Sequence, residues 1–165
     1  MSERRRPSLE PFRTAHGYRE FCTLMLGELF FGIAVEHVQE VLEEQPMTIV
    51  PLAAPEVCGL INLRGQIVTA VDLKTCLGRT EPSERPESAN IILKYQDELW
   101  SLVVDQIGDV VSIDSARCAA PPESLSSDCE DLIESTIELD DRLLLILNTT
   151  SLFERISGPE LVGHE

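Results

Sequence analysis

The sequence predicts a mainly β protein made of two small β-barrels, and three observations lead to that fold class. Apolar runs of five to seven residues recur from Tyr18 onward and are separated by turns of two or three residues, as in antiparallel sheets. Segments with helical spacing are few and short. The two halves of the chain also resemble one another, because ELFFGIAV at 28–35 aligns with ELWSLVVD at 98–105. A single continuous sandwich remains the alternative.

The first half opens with a predicted β-hairpin, in which FCTLML (21–26) and LFFGIAV (29–35) flank the turn Gly27-Glu28. The next segment is predicted to be a short amphipathic helix or turn that ends before Pro46. Its apolar residues fall at helical spacing and are Val35, Val38, Val41 and Leu42.

A strand over 47–50 and a proline-bracketed loop lead to a second predicted hairpin. Its strands, GLINL and QIVTAV, flank Arg64-Gly65, and glycine suits a turn position that needs a positive φ. Asp72 follows the second of these strands directly. Its side chain is expected to cap the turn that ends the strand, which is a structural role.

Residues 78–88 (GRTEPSERPES) form the only polar, proline-containing stretch in the interior of the chain and are read as a linker. The linker divides one domain, 18–156, into approximate halves 18–80 and 88–156. The second half is expected to contain two hairpins, NIILKY with LWSLVV and STIEL with LLLIL, and a strand, IGDVVSI. Short helices are expected at 128–133 and 150–156, and disordered tails at 1–17 and 157–165.

The charge balance excludes several classes of partner. The 165 residues include 13 Lys and Arg against 29 Asp and Glu, which gives a formal net charge of −16. Such a field repels phosphate backbones, so we expect no nucleic-acid partner. No apolar run approaches 18 residues, and the cluster Arg4-Arg5-Arg6 is not followed by the apolar region of a secretory signal. A cytoplasmic protein without direct membrane insertion is therefore expected.

A search for catalytic and metal-binding motifs finds none of the phosphate-binding loops or the nucleophile elbow. The chain has only three histidines, which argues against a histidine-based catalytic triad or metal site. The cysteines are odd in number and form no C-x-x-C pair, so buried, reduced thiols are favoured over a redox or metal site. They are Cys22, Cys58, Cys76, Cys118 and Cys129. We therefore expect no catalytic residue, no metal and no cofactor.

Arg64 is the single basic residue of the stretch GLINLRGQIVTAVDL (59–73) and lies at its turn. The planar guanidinium offers five donors that suit capture of a carboxylate on another chain. A solubilising charge at a hairpin tip is the alternative.

The same stretch resembles the signature of the CheW family of chemotaxis coupling proteins, which carry an N-L-R-G turn, an apolar strand and D-L. Three further segments resemble that family in the same order, so that the resemblance covers about residues 18–156. These segments are FFGIAVEHVQEV, SLVVDQIGDVVSI and DRLLLILNTTSLF.

The resemblance implies an adaptor of two packed, five-stranded SH3-like β-barrels with short helices and no enzymatic activity. Its implied partners are the cytoplasmic tip of a chemoreceptor and the regulatory domain of a CheA-type histidine kinase, with recruitment to receptor arrays at the inner membrane face. An adaptor of a non-flagellar chemosensory pathway and a cysteine-based redox or metal sensor are the alternatives.

The resemblance also assigns roles to individual residues. Asn62, Gly65 and Asp72 match the structural signature. The positions that match partner-binding sites of the family are Arg64, Val38, Glu40, Ile91, Ile92, Ile107 and Val110. For the last four of these, a place in the barrel core is the alternative to a place in the groove between the barrels.

Overall fold

A computed structural model of the chain describes residues 17–78, 88–121 and 131–156. Within these ranges the chain forms ten strands, two α-helices and two 3₁₀ turns. The strands are β1 (Tyr18–Leu26), β2 (Leu29–Ala34), β3 (Val38–Glu43), β4 (Val57–Leu63), β5 (Gln66–Asp72), β6 (Ala89–Tyr95), β7 (Glu98–Val104), β8 (Gln106–Asp114), β9 (Ile133–Glu138) and β10 (Leu143–Leu147). The helices are α1 (Leu73–Cys76) and α2 (Thr149–Ile156), and the 3₁₀ turns are Val35–His37 and Ser115–Arg117.

The strands form two five-stranded sheets, which confirms the predicted mainly β class with two SH3-like subdomains. The first sheet has the order β8-β1-β2-β10-β9, and the second has the order β3-β6-β7-β5-β4. Each sheet is antiparallel apart from one parallel pair, β2 with β10 in the first and β5 with β7 in the second. The predicted hairpins β1–β2, β4–β5, β6–β7 and β9–β10 are all present.

The two sheets do not correspond to the two halves of the sequence, so the expectation that each half forms its own β unit is wrong. The internal repeat itself is real, because replacing β1–β5 by β6–β10 and the reverse converts one sheet order into the other. The halves exchange strands: β1 and β2 join β8–β10, and β6 and β7 join β3–β5. The exchanged strands supply partners for backbone groups that a lone half would leave unpaired.

The short amphipathic helix or turn predicted from Val35 to before Pro46 is limited to a single turn, and its continuation as a helix is wrong. Only Val35–His37 is helical, and Val38–Glu43 forms the edge strand β3, in which half-buried and exposed residues alternate. Hydrogen bonding along β6 overrides the weak helical spacing of four apolar residues. The strand predicted over 47–50 is reduced to a single bridge between Thr48 and Leu60.

The closing helix is confirmed as α2, and Asn148 caps its start. Asn148 Oδ1 accepts a hydrogen bond of 3.0 Å from the Ser151 backbone N–H. Of the helix expected at 128–133, residues 128–130 lie outside the described residues, and Ile133 begins β9. The linker interior and both predicted tails, apart from Gly17, also lie outside them.

Hydrophobic side chains fill the space between the two sheets as well as the interior of each. The largest cluster joins strands of both sheets to the buried face of α2, including Phe31, Leu102 and Phe153. A separate cluster lies within the first sheet, and two smaller ones lie within the second. This shared core fixes the relative position of the two subdomains and of the surface between them.

Candidate partner-binding surface

The turn between β4 and β5 places Arg64 at the surface. Arg64 and Gly65 both have positive φ, 53° and 88°, the left-handed region in which a tight hairpin turn places its central residues. Asn62 Oδ1 accepts a hydrogen bond of 2.9 Å from the Gly65 backbone N–H and so closes the turn. The signature residues Asn62 and Gly65 therefore act together to present the arginine.

Arg64 forms an ion pair with Glu40, in which Nη2 donates to Oε2. The Arg64 side chain is 68% exposed and that of Glu40 28% exposed. Strand β3 and strand β4 are the opposite edges of the second sheet, so this contact requires the sheet to curve round and bring its edges together. The structure thus unites two residues that the sequence singled out separately.

Asp72 has the capping role that the sequence predicted. Its Oδ1 accepts from the Lys74 backbone N–H at 3.1 Å, and its Oδ2 accepts from the Thr75 hydroxyl at 3.1 Å. The cap ends β5 and starts the single turn of α1.

A groove of about 620 Å³ lies between β3 and the start of β8, where the chain passes from the second sheet to the first. We call it the β3–β8 groove. The residues that line it are Val41, Leu42, Glu43, Glu44, Ser88, Ala89, Asp105, Gln106 and Ile107. The lining thus combines apolar side chains from both subdomains with three carboxylates.

Two of the predicted partner-binding residues lie near this groove. Ile107 is half-buried in its lining and packs against the core between the sheets. Val110 lies further along β8 and is 58% exposed. Val38 is half-buried and also packs against that core, two residues before Glu40 on β3.

The structure does not support a groove position for Ile91 and Ile92. Both are 0% exposed, Ile91 in the core between the sheets and Ile92 in the interior of the second sheet. The alternative of barrel core therefore fits these two residues. One face of β6 packs into the core between the sheets and the other packs into the interior of the second sheet, so both faces are covered.

Sequence reasoning missed two exposed apolar residues beside the predicted ones. Val41 on β3 is 41% exposed and lines the groove, and Ile67 on β5 is 60% exposed, three residues after Arg64. The sequence carries no signal for Val41, because V-Q-E-V-L-E (38–43) does not alternate between apolar and polar residues, and its exposed face appears only once β3 is known to be a strand.

Buried thiols account for two of the cysteines. Cys76 is 2% exposed, and burial, reinforced by the nearby Glu56 and Asp72 carboxylates, raises its pKa to about 12. Burial also raises the pKa of Cys22. Among the residues that the structure describes, no group of three or more His, Cys, Asp and Glu is placed to hold a metal ion. No helix in those same ranges is long and apolar enough to cross a membrane.

Comparison with known proteins relates the chain to a family. The model of the family described as CheW-like domain matches residues 20–157. Chemotaxis protein CheW of Bacillus subtilis is 30% identical over 132 residues, which cover 80% of this chain and 85% of that protein. Chemotaxis protein CheW of Thermotoga maritima is 25% identical over 141 residues, 86% of this chain and 91% of that protein.

A solved structure supports the same family assignment as the family model and the two relatives. The CheW scaffolding protein of Thermoanaerobacter tengcongensis superimposes with a TM-score of 0.74 at 27% sequence identity. The superposition covers 82% of this chain and 92% of that one.

Proposed function

The chain belongs to the CheW-like domain family and is a chemotaxis scaffold, and from this premise we propose that it couples a chemoreceptor to a CheA-type histidine kinase. One partner is the cytoplasmic tip of the receptor, and the other is the regulatory domain of the kinase. The protein has no catalytic step of its own and acts in the cytoplasm, at receptor arrays on the inner face of the membrane.

The observation that carries the receptor contact is the β3–β8 groove. Its apolar side chains come from both subdomains, and Val41 and Ile107 give a helix with one apolar stripe a surface to bind. Full burial of an exposed valine or isoleucine side chain contributes about 1.5 to 3 kcal/mol, and Val41, which is 41% exposed, contributes less than that on binding. Val110, exposed on β8, extends the apolar surface along the same strand.

The hairpin tip that carries Arg64 supports a second contact, because it is not part of the groove lining. Glu40 engages one terminal nitrogen of Arg64, and the side chain is otherwise 68% exposed. The remaining N–H groups and the neighbouring Ile67 suit a partner surface with a carboxylate beside an apolar side chain. Two separate faces are what a scaffold between two proteins requires.

Co-sedimentation of the purified chain with a receptor fragment and a kinase fragment tests this proposal. We expect Val110→Glu to weaken receptor binding and Arg64→Glu to weaken kinase binding, each with the other contact retained. Arg117→Glu is the control for charge reversal, because Arg117 is exposed in the 3₁₀ turn after β8, at the end of that strand away from the groove and beside the other sheet from Arg64. Normal binding and kinase control with Arg64→Glu would overturn the assignment of that residue.

A further inference from the structure

The β3–β8 groove carries a strong local charge. Its lining includes Glu43, Glu44 and Asp105 and, within the described residues, no lysine or arginine. Glu43 and Glu44 are exposed, and Asp105 Oδ2 accepts a hydrogen bond of 2.7 Å from the Gly27 backbone N–H. The lining also includes the side chains of Leu42 and Ile107, both half-buried. An occupant that fits both features is basic and also has apolar side chains.

Residues 1–16 have that composition. They contain four arginines and two glutamates, a net charge of +2, whereas residues 17–165 contain nine basic and 27 acidic residues, a net charge of −18. Leu9 and Phe12 lie between the cluster Arg4-Arg5-Arg6 and Arg13. The family resemblance begins after this segment, so coupling to receptor and kinase leaves its charge unexplained.

The segment is long enough to reach the groove from where it joins the fold. Tyr18 pairs with Asp114 at one end of β8, and Met25 pairs with Gln106 at the groove end. Eight residues of strand separate these positions on β8, a distance of about 27 Å. Sixteen extended residues span about 50 Å, so the path is covered with slack to spare.

We propose that residues 1–16 bind in the β3–β8 groove of the same molecule and compete there with the receptor. The arginines pair with the exposed Glu43 and Glu44, Asp105 adds to the negative field of the groove, and Leu9 and Phe12 contact its apolar side chains. The competition rests on the proposed receptor contact, whereas the binding of the segment to the groove does not. The receptor tip must therefore bind the groove more tightly than the segment does in order to displace it.

Tethering makes even a weak contact effective. A short linker gives the segment an effective concentration of about 1 mM at the groove, so a contact that is weak between separate molecules still occupies it. Because the receptor must first displace the segment, the apparent affinity of the groove for the receptor is lower by about fivefold. Because the contact is largely ionic and exposed, it weakens as salt is raised.

A peptide of residues 1–16 tests the contact without any receptor. The acceptor is the full chain with Arg4→Glu, Arg5→Glu and Arg6→Glu, whose own segment is disabled, and fluorescence anisotropy of the labelled peptide is the readout. We expect saturable binding that weakens at high salt and that weakens at least threefold when Glu43→Gln and Glu44→Gln are added to the acceptor.

The matched control removes two carboxylates elsewhere. Asp97 lies in the β6–β7 turn and Glu98 begins β7, both at the end of β6 opposite Ala89 of the groove, so Asp97→Asn and Glu98→Gln should leave peptide binding unchanged. Equal weakening by both pairs of substitutions, or no saturable binding, would overturn the proposal.

The regulatory consequence is measured with a receptor fragment and the full chain. We expect Arg4→Glu, Arg5→Glu and Arg6→Glu to raise receptor affinity by about fivefold at low salt, with the difference lost at high salt. Unchanged affinity despite peptide binding would refute the competition. If the receptor does not bind this groove at all, the peptide measurement still stands, so the two proposals fail separately. Self-association of the wild-type chain that the three substitutions abolish would assign the groove to a second molecule and overturn binding within one molecule.

Discussion

Arg64 donates a hydrogen bond to Glu40, and this contact joins the β4–β5 turn to β3, the opposite edge of the same sheet. Both residues are on the surface, so the ion pair bridges the two edges of the sheet at a place that a partner can reach. A partner that takes one member of the pair must also change the contact of the other.

The first prediction concerns the stability of this pair. Arg64→Ala and Glu40→Gln are each expected to lower the free energy of unfolding by less than about 1 kcal/mol, because exposed ion pairs are screened by water. A double-mutant cycle in denaturant measures the coupling. The Arg19–Glu134 pair, at 3.4 Å with both side chains 36% exposed, is the control. A coupling of several kcal/mol would show instead that the pair is a structural element of the sheet.

The Arg64–Glu40 pair also shows where sequence reasoning stops. The N-L-R-G turn was predictable because glycine and asparagine have specific conformational roles in tight turns. The partner of the arginine was not predictable, because Glu40 is 24 residues away and meets it only when the sheet curves. The reading of Glu40 as part of a helix hid the relationship further.

Strand exchange is the larger feature that the sequence concealed. The similarity of 28–35 to 98–105 correctly indicated a repeat, but similarity between two units says nothing about which unit pairs with which. The parallel pairing of β2 with β10 and of β5 with β7 joins strands that are distant in sequence. It depends on how the side chains pack in the core, which the sequence pattern does not show. The same arrangement buries Ile91 and Ile92, because one face of β6 packs into the core between the sheets and the other into the interior of its own sheet.

The second prediction concerns the hydrogen bond that closes the β4–β5 turn. Asn62→Ala removes the acceptor of the Gly65 N–H and is expected to cost about 1 kcal/mol of stability. Asn62→Asp keeps an acceptor oxygen and should restore most of it. Chemical denaturation of the three proteins measures the differences. Equal stability of the alanine and aspartate variants would mean that the bond contributes nothing to the turn.

The third prediction concerns the pH dependence of stability. The Cys76 thiol has its pKa raised from 9.0 to about 12, so the folded protein keeps it protonated where the unfolded chain ionises. Its contribution is complete below pH 9 and is lost as pH rises towards 12. Unfolding curves between pH 8 and 11 should therefore show a steeper loss for the wild type than for Cys76→Ala.

Alkylation of native protein gives an independent check on the same thiol. Cys76 should resist a thiol reagent at pH 8 until the protein unfolds, because it is both buried and protonated. Parallel loss of stability with pH in the wild type and in Cys76→Ala would contradict the assigned cause.

The fourth prediction concerns Leu52, which combines a fully exposed side chain, 104% by residue area, with a positive φ of 64°. The left-handed conformation costs a residue such as leucine about 1 to 2 kcal/mol, and asparagine adopts it more readily. Leu52→Asn is therefore expected to raise the free energy of unfolding by about 1 kcal/mol and the Tm by about 2 to 4 °C. Ile49→Asn is the control, because Ile49 in the same loop is 77% exposed without a positive φ.

A gain with Leu52→Asn alone identifies relief of backbone strain as the cause, whereas a similar gain in both would assign it to loss of exposed apolar surface. Loss of stability with Leu52→Asn would show that the leucine makes a stabilising contact in the folded chain. Comparison of receptor and kinase binding by the same variants then determines whether the strained leucine serves a partner.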